Sequence, residues 1–262
     1  MTSITAPLYR WFTPRRRRTI AAALTAGIVI GIIGSNLVIL PEVRNQWGED
    51  YRFFVRAADH WLTTGQFYLA HQLAGPYVAT TAIDVLYPPI ALALFVPFVY
   101  LPAPLWWLIP LSVIAWSIVR QRPAYWTWPV IALLAWLPRD ESIVIWGNTS
   151  MWIAAFVALA VRFRWISVLV LIKPTFAPFA LIGIRSRGWW LALAVAAGLS
   201  LLGLNLWSDY LTAMRNNVSS WPGPLYSVPD FLFVSIPLVA WLGRTVGRPR
   251  ADGSVDSQSA PA

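Results

Sequence analysis

The chain has no cysteine among its 262 residues, only two histidines, and a single lysine, Lys173. Without thiols there can be no disulfide, thiolate metal site or cysteine nucleophile, and the redox compartment cannot be read. Two histidines are too few for a histidine-built zinc site, and no acidic cluster compensates, so neither metal nor cofactor is expected. Charge is scarce as well, at 12% of residues. A Gly-rich strand–turn–helix is absent from the sequence, which argues against a nucleotide-binding Rossmann domain.

Apolar residues fill the gap. They make up 58% of the chain, with seventeen tryptophans and a mean hydropathy of +0.58, the composition of an integral membrane protein. The net charge of +9 comes from small arginine clusters between apolar segments. Such clusters read as membrane topology signals or anion ligands, and one basic face for nucleic acid is not expected. Arginine in place of lysine, with abundant alanine and tryptophan, suits a GC-rich bacterial genome, and the expected location is the bacterial plasma membrane, crossed several times.

Eight hydrophobic segments can be marked: Thr19 to Leu40, Pro88 to Leu101, Pro104 to Val119, Tyr125 to Pro138, Ile143 to Val161, Trp165 to Ile184, Trp189 to Trp207 and Val228 to Gly243. The first follows Arg15 to Arg18 and has the length of a span. Ser35-Asn36 followed by Leu37 to Leu40 makes a poor cleavage site, so it reads as an uncleaved span. The positive-inside rule then makes residues 1–18 a basic cytoplasmic N-terminus. Residues 19–243 form one helical transmembrane domain, with an extracytoplasmic loop at 41–87 that carries surface helices. Residues 244–262 are a cytoplasmic tail, basic and then disordered. The expected fold is all-α and polytopic. Several segments are shorter than the roughly 20 residues of a perpendicular span, and prolines interrupt the second and third, so broken helices around a cavity are expected. A strict eight-span path leaves Arg120, Arg122, Arg162 and Arg164 outside. Two remedies are open: Pro88 to Val119 is one span, or Trp165 to Ile184 is re-entrant and bent at Pro174.

Polar residues concentrate at the segment edges. In the loop after the first segment, Asp50-Tyr51 with Ala57-Ala58, Leu62, Gly65 and Tyr68 has the spacing of a helix lying along a membrane surface. Its Asp50 could take a proton from a hydroxyl. Equally, Glu49, Asp50 and Asp59 could pair with Arg52, Arg56 and His60 as ordinary helical salt bridges. Lys173 lies inside an apolar run, where an ionisable residue is costly unless it functions or snorkels to an interface, and a compact ammonium suits phosphate. Asn148, in Gly147-Asn148-Thr149-Ser150, is either a helix cap or an amide offered to a sugar.

The order Asp50-Tyr51, Gly65 to Tyr68, Tyr87-Pro88-Pro89, Gly147-Asn148 and Lys173-Pro174 resembles glycosyltransferase family 87, in a short variant. These are polyprenyl-phosphate-sugar-dependent enzymes of the C-type (GT-C) membrane glycosyltransferase superfamily. The resemblance covers roughly Trp47 to Trp190; the chain departs from the family in having Gly147-Asn148-Thr149-Ser150 where family members carry Gly-Gln before the Asn-like position, and in being much shorter, with several C-terminal spans of the family pattern not expected here. It implies that Asp50 is the general base on the acceptor hydroxyl, that Tyr87 to Pro89 open a segment at the active-site face, and that Lys173 points toward the donor phosphate. Tyr51, Arg52, Arg56, His60, Tyr87 and Asn148 are the further binding candidates.

The chemistry implied is transfer of a mannose-like hexose from a polyprenyl-phosphate donor to a hydroxyl of a lipid or cell-envelope glycan. It needs one base and cations for the developing phosphate charge. A non-catalytic lipid-carrier binding protein or transporter, and a scaffold subunit of an envelope complex, are the other readings.

Overall fold

The structure is a computed structural model and describes residues 13–39, 47–80, 83–137, 143–201, 203–219 and 228–244. Arg139, Asp140 and Glu141, and the tail beyond Arg244, lie outside these residues. The described residues are helical and contain no strand; the β-type pairings are the isolated bridges Tyr77–Asn217 and Pro123–Arg244. The longer helices are α1 (Pro14–Ile39), α2 (Glu49–Thr64), α3 (Leu105–Gln121), α4 (Thr127–Trp136), α5 (Ser150–Ala160), α6 (Arg187–Leu201), α7 (Leu204–Asn216) and α8 (Val228–Leu242).

α5 is the axis of the fold. It is apolar on every face, as a helix surrounded by others must be, and Met151, Ile153, Val157 and Ala160 are fully buried. Its small residues Ala154, Ala155 and Ala158 let α3, α8 and the stretch Arg164–Ile172 approach closely.

Arg164–Ile172 is wound as a 3-10 helix. At Lys173 the backbone turns extended, with φ −120° and ψ 93°, and Pro174–Gly183 returns alongside in short helical turns. Proline at 174 favours that extended residue before it. The two limbs join at their open end, where the Ser167 hydroxyl donates to the Ala180 carbonyl at 2.7 Å. There Gly183 packs against the Arg164 carbonyl so closely that no Cβ fits. Trp165 to Ile184 is therefore a hairpin with Lys173 at its tip.

Hydrogen bonds sort the remaining segments into two ends. At the start of α3, the Trp106 and Trp107 indoles donate to the carbonyls of Gly147 and Val144, just ahead of α5. Near its finish, the Ser117 hydroxyl donates to the Ala158 carbonyl, so α3 and α5 run parallel. The Ala124 N–H donates to the Gly243 carbonyl at 2.8 Å, which puts the end of α8 beside the start of α4. The Thr25 hydroxyl reaches the Trp128 carbonyl and lays the early part of α1 there too. Arg120, Arg122, Arg162, Arg164 and Arg244 consequently share one end of the molecule, while α2, Tyr87 and Asn148 share the other.

This corrects the strict eight-segment alternation, which sets the loop before Asn148 on the face opposite Asp50. The Gly48 N–H donates to the Ile145 carbonyl at 2.8 Å, tying those two loops together. The alternation fails because two segments are not simple passages. Pro89–Tyr100 turns by 118° into α3, which begins at the same end as Tyr87, and the hairpin doubles back. Among the described residues, no single helix is long and apolar enough to cross a membrane. Two bent pairs are by length and composition, Pro89–Tyr100 with α3 and α6 with α7, the second bent by 88°.

Candidate active site

α2 forms where its spacing suggests, but it stops at Gly65, in the left-handed region at φ 76°, so Tyr68 is not part of it. Its start is fixed by aromatic packing: the Tyr51 ring lies 5.6 Å from that of Trp106 and 5.2 Å from that of Trp107, and Phe54 stacks on Phe95 at 4.7 Å. The facing turn depends on Gly147. Its φ is 74°, and a Cβ there would meet the Trp107 ring at 2.8 Å and the Tyr51 Cβ at 3.1 Å. Only glycine satisfies both demands. Asn148 is thereby brought opposite Asp50.

Asn148 Nδ2 donates to Asp50 Oδ2 at 2.7 Å. Asn148 Oδ1 accepts from the Ser150 backbone N–H at 2.9 Å and from Lys173 Nζ at 3.3 Å. Lys173 also donates to Ser150 Oγ at 2.9 Å and to Asp230 Oδ2 at 3.0 Å. The Ser150 hydroxyl donates to Asp230 Oδ2 at 2.5 Å. An ammonium has three N–H donors, and all three of Lys173 have acceptors within the chain. At 3% exposure Lys173 is buried, like Asp230 at 4%, and such a pair is tolerable only with its hydrogen bonds satisfied.

Three helices present their N-termini here. Asp50 is the second residue of α2, Ser150 the first of α5 and Asp230 the third of α8. The positive ends of the helix dipoles favour carboxylates in these first turns. Even so, burial pushes the Asp50 carboxyl up from 3.8 to about 6, against the lowering effects of the Asn148 hydrogen bond and the Lys173 charge. Desolvation outweighs both.

The other candidates are placed as follows. Tyr87 is buried and shares a 2.8 Å hydrogen bond with Thr149, while Tyr68 donates to the Tyr87 carbonyl. These links anchor the loop beside the Asn148 turn. Arg52 is exposed and donates to the Trp47 carbonyl at 2.7 Å. Arg56 and His60 lie away from Asp50, at a separate small pocket walled by Phe53, Phe67 and Val85. None of the helical ion pairs among Glu49, Asp50, Asp59, Arg52, Arg56 and His60 forms. The described loop instead has a His71–Asp84 pair at 2.7 Å.

Asp230 is the site residue that reading the sequence missed. Its signal was a carboxylate inside the apolar run Val228 to Gly243, in a chain whose one lysine needs a counterion. Among the described residues no group of three His, Asp or Glu is placed to hold a metal ion.

A groove of about 770 Å³, almost wholly apolar, runs along the hairpin and reaches Ile172, the neighbour of Lys173, though none of Asp50, Asn148, Lys173 and Asp230 lines it. Trp61 of α2, Pro89, Ile172 of the hairpin, and Leu191, Val195 and Trp207 of α6 and α7 line it. Compared with protein-family models, curated proteins and solved structures, the chain matches none.

Proposed function

We propose that the protein is a membrane-embedded hexosyltransferase that moves a sugar from a polyprenyl-phosphate donor to a hydroxyl of a lipid or envelope-glycan acceptor. The observation that carries this reading is the Asp50 carboxylate, raised to about 6, at the end of the molecule where an apolar groove begins. A general base works best when its pKa lies near the operating pH. Asp50 Oδ2 is held by Asn148, and Oδ1 has no hydrogen-bond partner among the described residues. In the proposed step Oδ1 takes the acceptor proton as the acceptor oxygen bonds to the anomeric carbon. The bond from that carbon to the phosphate oxygen breaks, and the phosphate leaves with the electron pair. The exposed guanidinium of Arg52, two residues along the same helix, is the cation offered to that phosphate, and the groove suits a polyprenyl chain.

A bilayer setting is supported by the outward side chains Ile20, Leu24, Ile28 and Ile30 of α1, which are 47% to 70% exposed. Gathering the arginines at one end satisfies the positive-inside rule with that end cytoplasmic, and Asp50 then faces the extracytoplasmic side.

One observation favours a non-catalytic lipid-binding role instead: the groove that suits a polyprenyl chain is lined by no charged residue. The test is incubation of the purified protein in liposomes with radiolabelled polyprenyl-phosphate hexoses and membrane lipid extract. Label passing to an acceptor, and lost in Asp50→Asn, is expected. Donor binding without transfer for every donor tried supports the second reading and overturns the first.

A further inference from the structure

Asn148 is an asymmetric link. Its Oδ1 faces two donors, Lys173 Nζ and the Ser150 N–H, and its Nδ2 faces the Asp50 acceptor. A flipped amide would set NH2 against an ammonium and an N–H, and the amide oxygen against a carboxylate. The orientation is thus imposed by the charge on one side. That charge is held in turn: Asp230 and Ser150 grip Lys173 from a second and a third element. We propose that Lys173 and Asp230 are a buried positioning pair, which through the Asn148 amide fixes the aim of the Asp50 carboxylate.

This rests on the reading of Asp50 as base and deepens it. Lys173 then acts from behind the base and does not meet the donor phosphate. The charged groups facing Asp50 are Glu49 on its own helix, Lys173 at the hairpin tip and Asp230 on α8. Lys173 attracts the carboxylate more than Asp230 repels it. Removing the pair together therefore removes a net attraction and frees the amide to turn, and both effects raise the proton affinity of Asp50.

The experiment follows the Asp50 carboxyl by carbon NMR in full-length, aspartate-labelled protein in detergent, beside transfer kinetics. In Lys173→Met/Asp230→Asn the Asp50 midpoint is expected to rise by about half a pH unit or more. The acid limb of kcat should rise with it, while KM for the donor stays unchanged. Lys173→Arg keeps the charge and should leave the midpoint near the wild-type value. Asn148→Leu cuts the link but leaves the charge pair intact. It should also raise the midpoint, and it serves as the test if the double variant does not fold. A folded variant of either kind with an unmoved Asp50 midpoint overturns the proposal, as does a KM effect without a kcat effect. A midpoint that moves in protein showing no transfer supports the positioning pair and sinks the transferase reading alone.

Discussion

Asn148 Nδ2 and Asp50 Oδ2 are 2.7 Å apart although 98 residues of chain separate them. The bond leaves one carboxylate oxygen committed and the other open, which is how a base is aimed. Gly48 and Gly147, both at positive φ, allow the two loops to meet under the Trp107 ring.

Transfer by Asp50→Asn is expected to fall at least about 10²-fold, the usual scale for a lost general base. In the wild-type protein, activity should rise with pH through about 6 as the carboxyl ionises, and then level off. Radiolabel transfer measured across a pH series checks both points, and an acid limb near 4 would contradict the assignment.

Stability should show the opposite dependence. Folded Asp50 holds its proton more tightly than the unfolded chain, so its favourable contribution is complete below 3.8 and is lost as pH rises through about 6. Asp50→Asn, always neutral, is expected to melt higher than wild type above that window, with the gap closing below it. Thermal melting in detergent at several pH values reads this directly.

From the sequence, in which Lys173 has no visible partner, methionine at 173 looks harmless. Asp230 changes that expectation. Lys173→Met alone leaves a buried carboxylate unpaired and should cost about 3–5 kcal/mol, whereas Lys173→Met/Asp230→Leu removes both charges and should recover most of the loss. Equal melting temperatures for the single and double variants would show that the pair is not coupled.

Gly183→Ala tests the hairpin. The added methyl meets the Arg164 carbonyl and Ser167, and overpacking of this kind costs about 1–3 kcal/mol. Because the limbs join there, Lys173 should also be displaced at the tip. Unaltered melting and transfer would mean that the limbs part easily.

The absence of native cysteine makes topology simple to probe. Single cysteines at Gln66, beside α2, and at Arg187, beyond the hairpin, should be labelled by a membrane-impermeant maleimide from opposite faces, Gln66 in intact cells and Arg187 only after permeabilisation. Labelling of both from one side would remove the proposed orientation.

Asp50, Asn148 and Lys173 were legible because each is a polar residue at the edge or in the middle of an apolar run, where lipid or core offers it nothing. Asp230 carries the same mark, a carboxylate in the first turn of an apolar segment, but its role shows only through its partner, which lies 57 residues earlier. The helical salt bridges, one of the two readings open for α2, do not form; backbone carbonyls take two of the cations, Arg52 to Trp47 and Arg56 to Arg52. Pro174 announced the break in the hairpin. The 3-10 winding of its first limb was not legible, because the residues packed against that limb, Gly183 and Ala180, lie on the other limb and not beside it in sequence.

Because α8 supplies Asp230, the counter-charge to Lys173 is among the last parts of the site to emerge during synthesis. Until then the ammonium at the hairpin tip has the neutral acceptors Asn148 and Ser150 but lacks Asp230, its ion-pair partner. The lysine is therefore settled only when α8 docks, and a chain that stops short of α8 is left with a buried charge it cannot neutralise.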